Sequence, residues 1–347
     1  MSEREEYWTK RAEEIFIEGE ENALALAVSL KSLYDKALEE INNELYKFYG
    51  KYATEKGISL SQAKKLLNNN ELRAYKTEIK KYIKFAKEHN FKKTEIQKLS
   101  ANALKSRISR LDELKTKIEF ELNKLSSEAE NEVSTFLMTT LEDNYYKNLW
   151  SISAGLGVAV SFNQLDKKTI EQAIMTKIKD TNFSTAIWTN KDKLVSIINE
   201  EIPLGLVLGY NPKKLAKKIE QKMGTNYNNT VRLVRTEYNL ISGKATAMSY
   251  IEAGIEKYQL LATLDHRTSE ICREMDSRIF DVKDISIGIN YPPFHPNCRT
   301  TTIAYFEPDE FDENLTAVRK DKNGNAYEIP LDITYKEWQK LYGDIFD

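Results

Sequence analysis

EREEYWTKRAEEIFIEGEENALALAVSLKSLYDKALEEINNELYKFYGKY, residues 3–52, opens the chain with one unbroken pattern. Its apolar residues Ile15, Ala23, Leu26, Leu30, Leu33, Leu38, Ile41, Leu45 and Phe48 recur mostly at three- and four-residue steps among Glu and Lys. That period puts them on one side of a long amphipathic helix, which needs a partner along its length. Gly57 closes the segment, and Ser59 or Ser61 can cap the next, SLSQAKKLL, by accepting hydrogen bonds from the free N–H groups of its first turn. A helical hairpin is the simplest arrangement.

The pattern continues beyond the hairpin. Stripes through Leu72, Tyr75, Ile79, Tyr82, Ile83 and Ala86, and through Leu104, Ile108, Leu111, Leu114, Ile118 and Leu122, predict two more helices. All seven prolines lie beyond residue 202, so the first 202 residues lack the strongest helix breaker. Around Gly155 and Gly157 the pattern pauses, and the stretch to Asn199 reads as shorter helices, KDKLVSIINEEI the clearest. Then PLGLVLGYNPKKLAKKIEQKMG sets glycine and proline turns around one short helix, with Asn211 as polar cap and Pro212 at the first helical position. We place a domain boundary near residue 200. One more helix is expected from Asn228 to Ala253, ended by Gly254, followed by YQLLATL, RIFDV and RTTTIAYF, short and rich in β-branched and aromatic residues as strands are. The expected fold is a mostly α N-terminal half of long amphipathic helices over 1–200, a compact α+β module over 201–304, and a tail over 305–347. That tail carries 11 acidic and 5 basic side chains and an Asn323-Gly324 turn between candidate strands, and we expect it to be loosely attached.

Composition excludes several classes. With 41% apolar and 30% charged residues the chain can bury a sizeable core. A formal net charge of -2 argues against coating nucleic acid with the whole surface. No run approaches the roughly 18 apolar residues of a spanning helix, and MSEREEYWTKRAEE is charged where a signal peptide is apolar. The expectation is a protein with no membrane partner, made in a cytoplasm, whose two cysteines stay thiols.

Charge is nonetheless segregated. Residues 64–110 hold 14 Lys/Arg and 4 Glu, whereas residues 1–63 hold 8 basic and 13 acidic groups. Lys80, Lys81, Lys84 and Lys87, with Tyr75, Tyr82 and Phe85 among them, can follow a double-stranded DNA backbone without reading its sequence. They can equally form a solvated face paired to the acidic first helix, with the aromatics in the core.

Scarce residues gather in one place. Of three histidines, His266 and His295 fall with both cysteines between Asp265 and Thr302. LDHRTSEICREMDSRIF, residues 264–280, holds Asp265, Arg267, Cys272 and Asp276; YPPFHPNCRTT, residues 291–301, holds His295, Cys298 and Arg299. The His-x-x-Cys unit can put an imidazole nitrogen and a thiolate on one metal ion, zinc in the first instance, with Cys272 arriving from elsewhere and Asp265 or His266 completing four ligands. A metal-free brace is the competing reading: cysteines packed as small hydrophobes, His295 bonded to Asp265 or Asp276, and the arginines paired with the same carboxylates. Upstream, Arg235 and Glu237 point to different faces of a helix, and we expect them to brace neighbouring elements, Arg235 as a buried anchor for Asp265 or Asp276. No HExxH pair, Walker loop or zinc-deaminase signature is present, so the expectation is a non-enzyme. A Cys272/His295 nucleophile pair, as in an injected enzyme or toxin, is the catalytic alternative.

In order, RTE at Arg235, ATLDHRTSEICREMD from Ala262 and NYPPFHPNCRTT from Asn290 resemble the head morphogenesis module of the phage minor head protein family, that of the F protein of phage Mu. EYWTKRAEE and GISLSQAKKLL also look like its Gram-positive phage members. The resemblance implies a virion protein of few copies inside the procapsid, near the portal. Its implied partners are the portal and the major capsid or scaffolding protein, with residues 1–200 docking, and it implies a part in head assembly and in DNA delivery. A DNA-binding accessory delivered with the genome is the alternative. Some members have Cys where Ser269 and Thr300 stand here, which implies at most Cys272, His295, Cys298 and one further ligand. Asp276-Ser277 stands where many relatives have Asp-Gly, implying a turn that tolerates Ser.

Overall fold

The structure is a computed structural model, and it describes residues 3–55, 57–157, 160, 164–176, 181–306, 317–320 and 326–329. Long helices dominate: α1 (Glu3–Tyr52), α2 (Leu60–Ala63), α3 (Asn69–Glu88), α4 (Lys93–Leu104), α5 (Arg110–Leu156), α6 (Lys167–Ile174), α7 (Phe183–Val207) and α8 (Pro212–Glu252). The C-terminal region adds β1 (Lys257–Leu261), α9 (Glu270–Met275), β2 (Ile279–Asp281) and β3 (Thr301–Tyr305). β4 (Ala317–Lys320) and β5 (Ala326–Ile329) pair antiparallel; the turn at Asn323-Gly324 and the rest of the acidic tail lie outside the described residues. The architecture is thus α+β, with the helices first and, among the described residues, the strands towards the end.

Local signals set several boundaries. Ser59 accepts from the Gln62 N–H while Gln62 reaches back to the Ser59 N–H, a reciprocal cap that starts α2. Asn211 Oδ1 accepts from the Lys214 N–H at 2.8 Å, and Pro212 opens α8 where its missing N–H is harmless. Gly157 and Gly254 adopt φ of +64° and +68°, the left-handed conformation that ends α5 and α8 at little steric cost. Two boundaries differ from the expectation. α7 runs through Pro203 to Val207, and α8 is continuous through Gly224 and Asn228 for 41 residues instead of forming a short helix and a second one. A helical glycine costs about 1 kcal/mol, and burial of Leu215, Ile219, Met223 and Val234 along the same helix outweighs it.

The chain packs as two compact units, neither continuous in sequence. One holds residues 1–25, 134–176 and 232–347, the other residues 26–133 and 177–231. Helices α1, α5 and α8 each contribute to both. The second unit buries the stripe of α1 (Ile41, Leu45) with Leu114, Ile118 and Leu122 of α5, Leu194 and Ile198 of α7 and Ile219 of α8. The partner that the opening stripe requires is therefore supplied within the chain. In the first unit, β1 is the centre of an antiparallel sheet in the order β2-β1-β3, with Tyr258 opposite Phe280 and Ala304 and Leu260 opposite Thr302. Alternation along β1 turns Tyr258 and Leu260 inward onto Trp8, Ile152, Tyr250, Tyr291 and Ile303. This small core carries the loop that bears the histidine and the second cysteine.

Candidate metal centre

Cys272 sits in the first turn of α9, whose cap is Ser269; the Ser269 hydroxyl accepts from the Cys272 N–H at 3.4 Å. His295 and Cys298 share one turn, closed by the Cys298 N–H donating to the His295 carbonyl at 3.1 Å. These segments bring three ligand atoms within 4.8 Å of one another. Cys272 Sγ lies 3.1 Å from His295 Nε2 and 3.8 Å from Cys298 Sγ, and both thiols are buried and free. The separation is far beyond the roughly 2.05 Å of a disulfide. The side-chain contact between the two thiols holds Cys272 below the ordinary thiol range, and that contact together with burial pushes Cys298 above it.

Helix α8 holds the loop in place. Asn239 Nδ2 donates to the carbonyls of Cys298 at 2.9 Å and Thr300 at 3.4 Å, the Tyr291 hydroxyl donates to the Gly243 carbonyl at 2.8 Å, and the Asn297 N–H donates to Thr236 Oγ1 at 3.3 Å. Sequence reading missed Asn239, Gly243 and Tyr291. Thr236, Asn239 and Gly243 fall at three- and four-residue steps, so the signal available was a polar and small face on one side of the helix.

The carboxylates and arginines are arranged otherwise than expected. Asp265 is not part of the three-atom group. It takes a bidentate pair from Arg299, at 2.7 and 2.6 Å, and its Oδ1 accepts from the Arg267 N–H. The guanidinium beside it holds the Asp265 carboxyl well below the usual carboxylate range. Arg267 itself is exposed, 3.7 Å from Asp265, and His266 is exposed as well. Asp276 accepts from the Ala262 N–H at 2.8 Å, and Ser277 takes φ +63° where the resemblance implies a turn. His295 bonds neither Asp265 nor Asp276: its Nδ1 meets the Pro296 carbonyl at 2.9 Å and its Nε2 meets Ser269 Oγ at 2.8 Å. Arg235 is exposed on α8, so it is no buried anchor. Glu237 is buried, and its Oε2 has no hydrogen-bond partner among the described residues.

The basic segment resolves into parts of both readings. Tyr75 is buried, Tyr82 stacks on Phe120 at 3.8 Å between centroids, and Phe85 packs on Phe91 and Phe120, so these aromatics belong to the core. Lys80, Lys81, Lys84 and Lys87 are exposed on α3. Lys84 approaches Glu88 at 3.8 Å; Lys80, Lys81 and Lys87 form no ion pair among the described residues. Glu44 of the acidic first helix pairs instead with Lys47 and Lys117.

Residues 196–303, from the end of α7 into β3 and including the three ligand atoms, match the family described as Phage Mu protein F like protein. The likeness to that family is therefore shown over this stretch. The chain is also 23% identical over 227 residues, 61% of its length, to an Enterococcus faecalis protein named NAD(+)--arginine ADP-ribosyltransferase EFV, covering 45% of that protein. An uncharacterized protein of Haemophilus influenzae is 22% identical over 214 residues, 62% of this chain and 45% of that protein. The chain thus spans under half the length of these relatives. No solved structure matches it significantly, and no described helix is long and apolar enough to cross a membrane.

Proposed function

We propose that this protein is a minor structural component of a phage head, assembled in the host cytoplasm and retained in the virion on the capsid interior near the portal. The observation that carries the reading is the family match at 196–303, because it falls on the module in which α8 clamps the loop of His295 and Cys298. Its partners in this reading are the portal and the major capsid or scaffolding protein. Leu204, Val207 and Leu208, more than half exposed at the end of α7, offer apolar surface that a protein partner can cover. The non-catalytic reading fits burial of the candidate nucleophile, since Cys272 is 3% exposed. The transferase activity named for the Enterococcus relative stays with that protein. Co-sedimentation of purified protein with portal rings and procapsids tests the reading, together with particles assembled without it. Binding to neither, with particles of normal composition and infectivity, would overturn it.

A second reading, contact with genomic DNA for packaging or ejection, is favoured by the four exposed lysines of α3. Lys80, Lys84 and Lys87 fall at four- and three-residue steps on one face. Each phosphate neutralised adds roughly 0.9 to the slope of log affinity against log salt. Replacing all four lysines by Gln is expected to weaken binding to duplex DNA whatever its sequence, and to flatten that slope by up to about 3.6. Fluorescence anisotropy over a salt series measures both, and an unchanged slope removes α3 from the DNA contact.

A further inference from the structure

We infer that Cys272, His295 and Cys298 bind one soft divalent metal ion, zinc(II), which ties α9 to the loop before β3. The three donors are two sulfurs and one imidazole nitrogen, a set suited to zinc and unsuited to magnesium or calcium, which take oxygen. Two thiolates about 2.3 Å from one tetrahedral zinc stand about 3.8 Å apart. The cysteine sulfurs are 3.8 Å apart already.

The imidazole is oriented as a ligand. The Pro296 carbonyl can only accept, so the bond at His295 Nδ1 puts the ring proton on that nitrogen and leaves the lone pair of Nε2 toward the sulfurs. A backbone carbonyl behind a ligating histidine is the usual way that tautomer is fixed. The Sγ–Nε2 distance of 3.1 Å is about half an ångström shorter than zinc requires. His295 is half-buried at the edge of the site, and a small outward movement of its ring opens that distance.

Among the described residues no carboxylate completes the set. Asp265 is held by Arg299, and His266 is outside the group. The fourth position is left to a solvent oxygen beside the Ser269 hydroxyl, whose oxygen lies 2.8 Å from Nε2. Zinc displaces the protons of both thiols, and the two thiolates balance its charge. The metal would join positions 26 residues apart where the module's own core is small.

Metal analysis of the full chain, purified without chelator, is the primary test. The expected result is about one zinc per chain, with both thiols silent to a thiol reagent until chelator is added. Cobalt(II) exchanged into the site should show thiolate-to-metal charge transfer and tetrahedral visible bands, both lost in Cys272→Ser and Cys298→Ser. A folded wild-type chain with substoichiometric metal, no cobalt spectrum and two thiols reactive with or without chelator overturns the inference. So does zinc retained by the doubly substituted chain. Ser269→Cys keeps all three ligands and places a thiol at the fourth position, so it should slow loss of metal to a chelator. A rate equal to wild type overturns the assignment of that position. None of these outcomes bears on where in a phage particle the protein resides.

Discussion

Gly19→Ala is expected to destabilise the protein by about 2 kcal/mol or more, although alanine is the better helix former. In an open helical position the change would gain about 1 kcal/mol. At Gly19 a Cβ would lie 1.7 Å from the Tyr238 hydroxyl oxygen and 2.0 Å from the ring carbon that bears it. The ring has nowhere to go: Tyr238 is 1% exposed, its hydroxyl donates toward the carbonyls of Ile15 and Phe16 at 3.3 and 3.4 Å, and Phe16 and Phe136 flank it. Relief must come from displacing backbone, and overpacking of a filled core costs about 1–3 kcal/mol even for milder intrusions. The steric loss therefore exceeds the propensity gain. Gly50 in α1 and Gly224 in α8 provide the control, since a Cβ at either meets nothing within 4 Å. Gly224→Ala should raise stability by up to about 1 kcal/mol. Urea denaturation of the three variants gives the comparison, and a Gly19→Ala protein as stable as wild type would show that Tyr238 does not cross α1 at this point.

That contact marks where sequence reading stops. The helices are legible because apolar residues at three- and four-residue steps, caps such as Asn211-Pro212 and stops such as Gly254 are local features. The strands of the β2-β1-β3 sheet are legible for the same reason. The grouping of Cys272, His295 and Cys298 could be read because both residue types are scarce. Partner choice could not be read: Asp265 meets Arg299, 34 residues away, instead of a histidine or Arg235, and a tertiary path decides that. Nor could the discontinuous units be read, because α1, α5 and α8 each serve two cores and nothing in their periodicity marks the change. Gly224 and Asn228 look like a break, and only burial along α8 shows why they are not. The α3 lysines show the same limit in charge. Their excess is visible in the sequence, but that Glu44 pairs with Lys117 instead of with them is not.

Glu237→Gln should make the protein more stable at neutral pH and leave it nearly unchanged in mild acid. Glu237 is 6% exposed, and burial pushes its carboxyl up to about 7, against the partial pull of Lys244 two turns along α8. Burial likewise pushes the Lys244 ammonium down to about 8, while it donates to the Ala173 carbonyl at 2.9 Å. An acid that holds its proton more tightly when folded favours the fold fully only below its unfolded value of 4.5. Stability is then lost as pH rises toward about 7, where the buried group ionises, and stays lost above it. A shift of this size corresponds to about 3 kcal/mol, and glutamine, of the same shape, cannot ionise. Part of the gain is returned because Lys244, still charged below about 8, loses the neighbour that eased its burial. The expected net gain at pH 7 is about 1–3 kcal/mol, shrinking toward zero near pH 4.5. Denaturation of wild type and variant at the two pH values measures it. A parallel pH dependence in both proteins would mean that Glu237 is paired as a brace. A gain confined to neutral pH would instead identify its carboxylate as a burden on the helix that holds the Cys298 loop through Asn239.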